Sequence, residues 1–128
     1  MNQAIKAIGL LRLTPVLVDV ERDTFNMDVE ALKKAITPNT KAIIPVHIFG
    51  QCSNMEAIMQ IAKENNIAVI EDTAQSIGSK YTFSDGTVKS AGCIGSMGTT
   101  SFFPSKNLGC FGDGGALFTN DSELAARL

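Results

Sequence analysis

Two short apolar runs on either side of one helix-length segment constrain this chain most. Ala42–Val46 and Ile67–Ile70 are strand-sized, and between them Asn54 to Glu64 sets Met55, Ile58, Met59 and Ala62 on one helical face. Parallel strands need a crossover long enough to carry a helix, so strand, helix, strand is the unit of a parallel sheet. The pattern extends upstream. Pro15-Val16-Leu17-Val18 reads as a strand, and Asp28 to Ile36 as a helix capped near Asn26 or Asp28. The continuous apolar character of Lys41 to His47 is that of a strand buried on both faces. The expected fold class is α/β, a mostly parallel sheet flanked by helices on its faces.

The rest of the chain is less regular. Residues 3–12 read as a helix with Ile5, Ile8 and Leu11 along one side but no convincing N-cap. Residues 77–92 read as a loop with a weak hairpin. Thr99 to Phe103 and Ala116 to Thr119 read as short strands around a Gly-rich stretch. A helix starts at Asp121, with Asn120 or Asp121 as cap, and nothing in the sequence terminates it. Residues 1–128 are therefore expected to be one partial domain, truncated at both ends.

Composition narrows the function classes. The 11 basic and 13 acidic side chains are spread along the 128 residues, with a net charge of −2, so no basic stripe marks a nucleic-acid surface. The apolar runs fall far short of the roughly 20 residues that span a bilayer, so no membrane partner is expected. The start, Met1-Asn2-Gln3-Ala4-Ile5-Lys6, lacks the pattern of a signal peptide, and the expected location is cytoplasmic. Cys52, Cys93 and Cys110 have neither zinc nor redox spacing and read as reduced structural thiols. No metal site is expected.

Ligands of parallel sheets bind beyond the carboxyl ends of the strands. The polar residues there are His47, Asp72, Gln75 and the stretch Ser101 to Lys106. Asp72 suits either a cap for the turn at Thr73-Ala74 or a carboxylate that keeps a pyridinium nitrogen protonated. Gln75 could bond a ligand from the same turn, or be an exposed loop amide. Lys106, beside Phe102, Phe103 and Pro104, could be a desolvated amine that attacks carbonyls, or a surface lysine. Ser101 and Ser105 could donate to a phosphate, or be ordinary strand and turn residues. Gly112-Asp113-Gly114-Gly115 matches no phosphate-loop spacing and reads as a tight turn. His47, the only histidine, reads as a hydrogen-bonded structural residue.

Together these segments are specific. Thr14 to Asp19, Ile36 to His47, Phe49-Gly50-Gln51, Ile70 to Gly78, Thr100 to Gly109, Gly112 to Ala116 and Thr119-Asn120-Asp121 follow one family in order. An aspartate and a glutamine three apart, then a serine and a lysine five beyond it, is the most telling part. Over essentially its whole length the chain resembles the sugar aminotransferases of the DegT/DnrJ/EryC1/StrS family, of fold type I. The resemblance implies the central part of the large domain and pyridoxal 5'-phosphate as cofactor. It implies that Lys106 holds the cofactor as a Schiff base and shuttles the proton, and that Asp72 pairs with the pyridinium nitrogen. It implies that Gln75 contacts the ring or its phenolic oxygen, that Ser101 binds the phosphate, and that His47 falls near the cofactor. The implied reaction moves an amino group from a donor such as glutamate to a UDP- or dTDP-linked 3-keto or 4-keto sugar. Products of this kind serve amino-sugar, lipopolysaccharide or capsule synthesis. Full-length relatives would be homodimers. Their preceding phosphate-cradling turn and their C-terminal domain have no counterpart here, so the chain alone is expected to be inactive. The alternatives are a non-catalytic remnant and a sugar dehydratase relative. Dehydratases carry histidine in place of the lysine, and Lys106 argues against them.

Overall fold

A computed structural model describes residues 2–128. Helix α1 covers Asn2–Leu10 and α2 covers Val29–Ala35. Strand β1, Ala42–Ile43, is followed by a single 3-10 turn, Ile48–Gly50, and by α3, Met55–Asn65. Then come β2 (Ala68–Asp72), the hairpin β3 (Lys80–Thr82) and β4 (Val88–Ser90), β5 (Met97–Ser101), β6 (Gly115–Phe118) and α4 (Ser122–Arg127). The main sheet runs β1-β2-β5-β6. Its first three strands are parallel, and β6 returns antiparallel to β5.

Local chemistry explains the helix ends. Asp28 caps α2 by accepting from the N–H groups of Glu30 and Ala31, and Asn54 caps α3 by accepting from Ala57. Asn66 ends α3 in the left-handed conformation, with its N–H turned back to the carbonyls of Ala62 and Lys63. Met55, Ile58, Ile61 and Ala62 of α3 are buried with Leu32, Ile43, Val69 and Ile94 in one core. The helix face expected from spacing is the face that packs, with Met59 at its edge.

Two expectations need correction. Pro15 to Val18 forms no strand; Val16 and Leu17 are 66% and 70% exposed, and the nearest pairing is an isolated bridge between Val20 and Met27. The run Lys41–His47 contributes only a two-residue strand. Pro45 has no N–H to give the ladder, although its carbonyl still accepts from Asp72 and Val46 bridges Asp72. The mostly parallel α/β sheet is as expected, with one face forming the core and one open among the described residues. Register places Ile43, Val69, Glu71, Gly98 and Thr100 on one face, which is the core side. Ala42, Ile70, Asp72, Thr99, Ser101 and Leu117 lie on the other, which is half-exposed or exposed among the described residues. The β2-to-β5 crossover explains part of this, because it is made by the hairpin and its flanking loops rather than by a helix.

Candidate functional site

Asp72 and Thr99 are register partners on parallel strands, and Ser101 stands two residues beyond Thr99. Side chains alternate along a strand, so Asp72 and Ser101 project from adjacent strand ends onto the same open face. Gln75 sits in the turn that follows β2, and Lys106 in the loop that follows β5. The fold therefore gathers four of the five expected residues at the carboxyl edge of the sheet.

Each of three side chains has one half engaged and the other free among the described residues. Asp72 Oδ1 accepts the Ala74 N–H at 2.9 Å, while Oδ2 has no protein partner. The turn-capping reading and the ligand reading of Asp72 are thus compatible, one for each oxygen. Gln75 Oε1 accepts the Phe49 N–H at 3.2 Å, which leaves the amide Nε2 as the free donor. Phe49 presents that N–H from a left-handed conformation, φ 56°, followed by Gly50 at φ 76°. The Ser79 hydroxyl ties this turn down by donating to the Gly50 carbonyl. Ser101 Oγ accepts the Phe103 N–H at 3.2 Å, so its hydroxyl proton is free to donate. The half-buried Lys106 is placed by its main-chain N–H on the Phe103 carbonyl, 2.8 Å away, and its ammonium makes no ion pair among the described residues. The Gly112–Gly115 stretch is a turn into β6, with the Gly114 carbonyl accepting from Phe102.

The side chain of His47 turns away from this edge into the core. It is fully buried, and both ring nitrogens are taken: Nε2 lies 2.9 Å from Glu71 Oε2, and Nδ1 accepts the Ser53 N–H at 3.1 Å. Glu71 faces away from Asp72 and was missed by sequence reasoning. It is fully buried, yet it accepts from His47 and from the N–H groups of Gly92, Ile94 and Gly95. Burial pushes the Glu71 carboxyl up, but the bonds from His47, Gly95, Gly92 and Ile94 outweigh it and leave the carboxyl below its ordinary value. The signal for it was present. Val69 in, Ile70 out, Glu71 in is a strand alternation that puts a charge on the core side. Nearby, burial first and the Glu71 charge second push the half-buried Cys52 thiol up. Among the described residues no group of three His, Cys, Asp or Glu side chains could hold a metal ion, and no helix is long and apolar enough to cross a membrane.

Comparison with known proteins identifies the fold and the family. The chain is 50% identical over 123 residues to UDP-2-acetamido-2-deoxy-3-oxo-D-glucuronate aminotransferase of Pseudomonas aeruginosa, covering 96% of the chain and 33% of that protein. It is 52% identical over 113 residues to the pleiotropic regulatory protein of Geobacillus stearothermophilus, covering 88% of the chain and 29% of that protein. It thus spans about a third of the length of such curated relatives. A crystal structure of a DegT DnrJ EryC1 StrS aminotransferase from Brucella abortus superposes with a TM-score of 0.89 at 43% identity, over 98% of this chain and 34% of that one. The family's sequence pattern matches residues 3–128, and the chain belongs to the DegT/DnrJ/EryC1/StrS aminotransferase family.

Proposed function

We propose that this chain is the cofactor-gripping part of an aminotransferase that moves an amino group from an amino acid to a nucleotide-linked keto sugar. The observation that carries the reading is the set of free halves at the carboxyl edge of the sheet: an acceptor on Asp72, a donor on Gln75, a donor on Ser101 and the unpaired amine of Lys106. Pyridoxal 5'-phosphate, the cofactor of this family, asks for those polarities. Its ring nitrogen donates when protonated, and its phenolic and phosphate oxygens accept.

Bound there, the cofactor supplies an electron sink that makes the C–H bond beside a substrate nitrogen acidic. Asp72 Oδ2 would accept from the ring nitrogen and favour its protonated form through opposite charge. Gln75 Nε2 would donate to the phenolic oxygen, and the Phe49 N–H keeps the amide turned for that. Ser101 would donate to a phosphate oxygen. Lys106 Nζ would hold the cofactor and then take and return the proton as general base and acid. The sugar is the less determined part. A UDP-linked 3-keto uronic acid is favoured by the likeness to the Pseudomonas aeruginosa enzyme. The lysine at position 106 favours amino transfer over dehydration. Assembly as a homodimer, a cytoplasmic location, glutamate as donor and a role in lipopolysaccharide or capsule synthesis belong to the same proposal.

Borohydride trapping in a full-length protein that contains this chain tests the reading. Peptide mass spectrometry is expected to find a pyridoxyl group on Lys106, and label on Lys80 or Lys89 instead would sink it. Asp72→Asn is expected to keep cofactor and lose turnover by about 10²-fold or more; wild-type turnover would remove Asp72 from its role.

A further inference from the structure

The buried His47–Glu71 pair is a polar cluster to which the function proposed above gives no role. Both side chains are fully buried. Its main-chain members can only donate: the Ser53 N–H to His47 Nδ1 at 3.1 Å, the N–H groups of Ile94 and Gly95 to Glu71 Oε1 at 2.7 Å each, and Gly92 N–H to Oε2 at 2.9 Å. An imidazole nitrogen that accepts an N–H carries a lone pair, so Nδ1 is unprotonated. Nε2 must then hold the proton and donate it to Glu71 Oε2. One proton assignment satisfies every member.

The cluster is also fastened to the candidate site. The main-chain N–H of His47 donates to the Asp72 carbonyl at 3.0 Å, while its ring donates to the side chain of Glu71. One residue thus grips two consecutive residues of β2, from the main chain and from the core side. Thr73 continues the grip, with both its N–H and its hydroxyl on the Thr99 carbonyl. Asp72 is the only side chain of these three that faces the open side.

We propose that His47 and Glu71 are a positioning pair, which fixes the end of β2 so that the Asp72 carboxylate is aimed at the open face, with His47 neutral and its proton on Nε2. The purpose rests on the reading of Asp72 given above. The pair itself is tested without cofactor, so the two can fail separately.

Magic-angle-spinning NMR of the ¹⁵N-labelled chain reads the imidazole in whatever state of association the chain adopts. The expected spectrum has an unprotonated Nδ1 and a protonated Nε2; a proton on Nδ1, or on both, overturns the proposal. Glu71→Gln would turn an amide N–H₂ toward donors that Oε1 or Oε2 now accept from, a conflict no proton placement relieves. The Ala74 amide, which reports Asp72 Oδ1, and the Asp72 carboxyl carbon are both expected to shift in it. A scaffold role alone would lower the melting temperature and leave those two signals in place; finding them unmoved in folded Glu71→Gln overturns the proposal. His47→Gln restores an N–H near the old Nε2 and is expected to retain both signals, whereas His47→Phe is expected to lose them. If Glu71→Gln does not fold, that second comparison decides, and identical signals in the two His47 variants count against the pair.

Discussion

Glu71 carries a charge at a position where strand alternation calls for an apolar side chain. An ionised carboxylate buried without partners would be prohibitively costly. Four donors, three of them main-chain N–H groups, offset that cost here. The consequence can be measured against pH. The folded-state carboxyl is lowered relative to the roughly 4.3 of an unfolded glutamate. Its contribution to stability is therefore full above about pH 4.3 and is lost as pH falls through the lowered folded value. Thermal unfolding of the native chain is expected to weaken on acidification below that point, and Glu71→Gln to show a shallower decline from a lower starting stability. Removing the side chain, as in Glu71→Ala, is expected to cost at least about 1–3 kcal/mol, because buried donors lose their acceptor. Equal acid sensitivity in wild type and Glu71→Gln would show that another carboxylate dominates.

At the scale of elements, the loop before β5 matters as much as the strands. Residues 92–95 bring three N–H groups to Glu71, and that approach depends on Gly98. A Cβ there would stand 2.2 Å from the Gly92 carbonyl oxygen and 2.5 Å from its Cα. Backbone cannot yield as a side-chain tip can. Gly98→Ala is expected to lower stability by about 1–3 kcal/mol and to loosen the Glu71 bonds, read as a lower urea midpoint and faster hydrogen exchange at Gly92, Ile94 and Gly95. An unchanged midpoint would show that the loop has room to move. The helices were legible in sequence because their caps are local: Asp28, Asn54 and Asp121 accept from N–H groups two or three residues on. The strands were less so. A strand exists only where a partner lies alongside, and Val16 and Leu17 lack one although their composition suits a sheet.

Across the whole molecule, the sheet buries one face and leaves the other open. Large apolar side chains far apart in sequence are at least half exposed, among them Val16, Leu17, Phe103, Leu108 and Leu117. Exposed apolar surface of this kind favours association, at about 25 cal/mol per Å² covered. These 128 residues are expected to self-associate in solution, and Leu17→Lys with Leu117→Lys to weaken that association. Sedimentation velocity checks both. A monodisperse wild-type monomer with a cooperative thermal transition would show that the exposed side chains form no adhesive surface.

The sequence by itself determined the order of helices and strands, apart from the strand expected at Pro15 to Val18, and, through the spacing of Asp72, Gln75, Ser101 and Lys106, the family. These are properties of local pattern: periodicity, caps and short motifs act over a few residues. The tertiary structure decided which polar group does what. Asp72 and Glu71 are adjacent carboxylates with similar local surroundings, yet strand pleating sends one to the open face and the other into the core. His47 follows an apolar run much as a ligand residue would, but Ser53 and Glu71 claim both its nitrogens, and Glu71 reaches it only through the pairing of distant segments. The direction of a side chain depends on register and on partners brought from elsewhere in the chain, and no local window contains those.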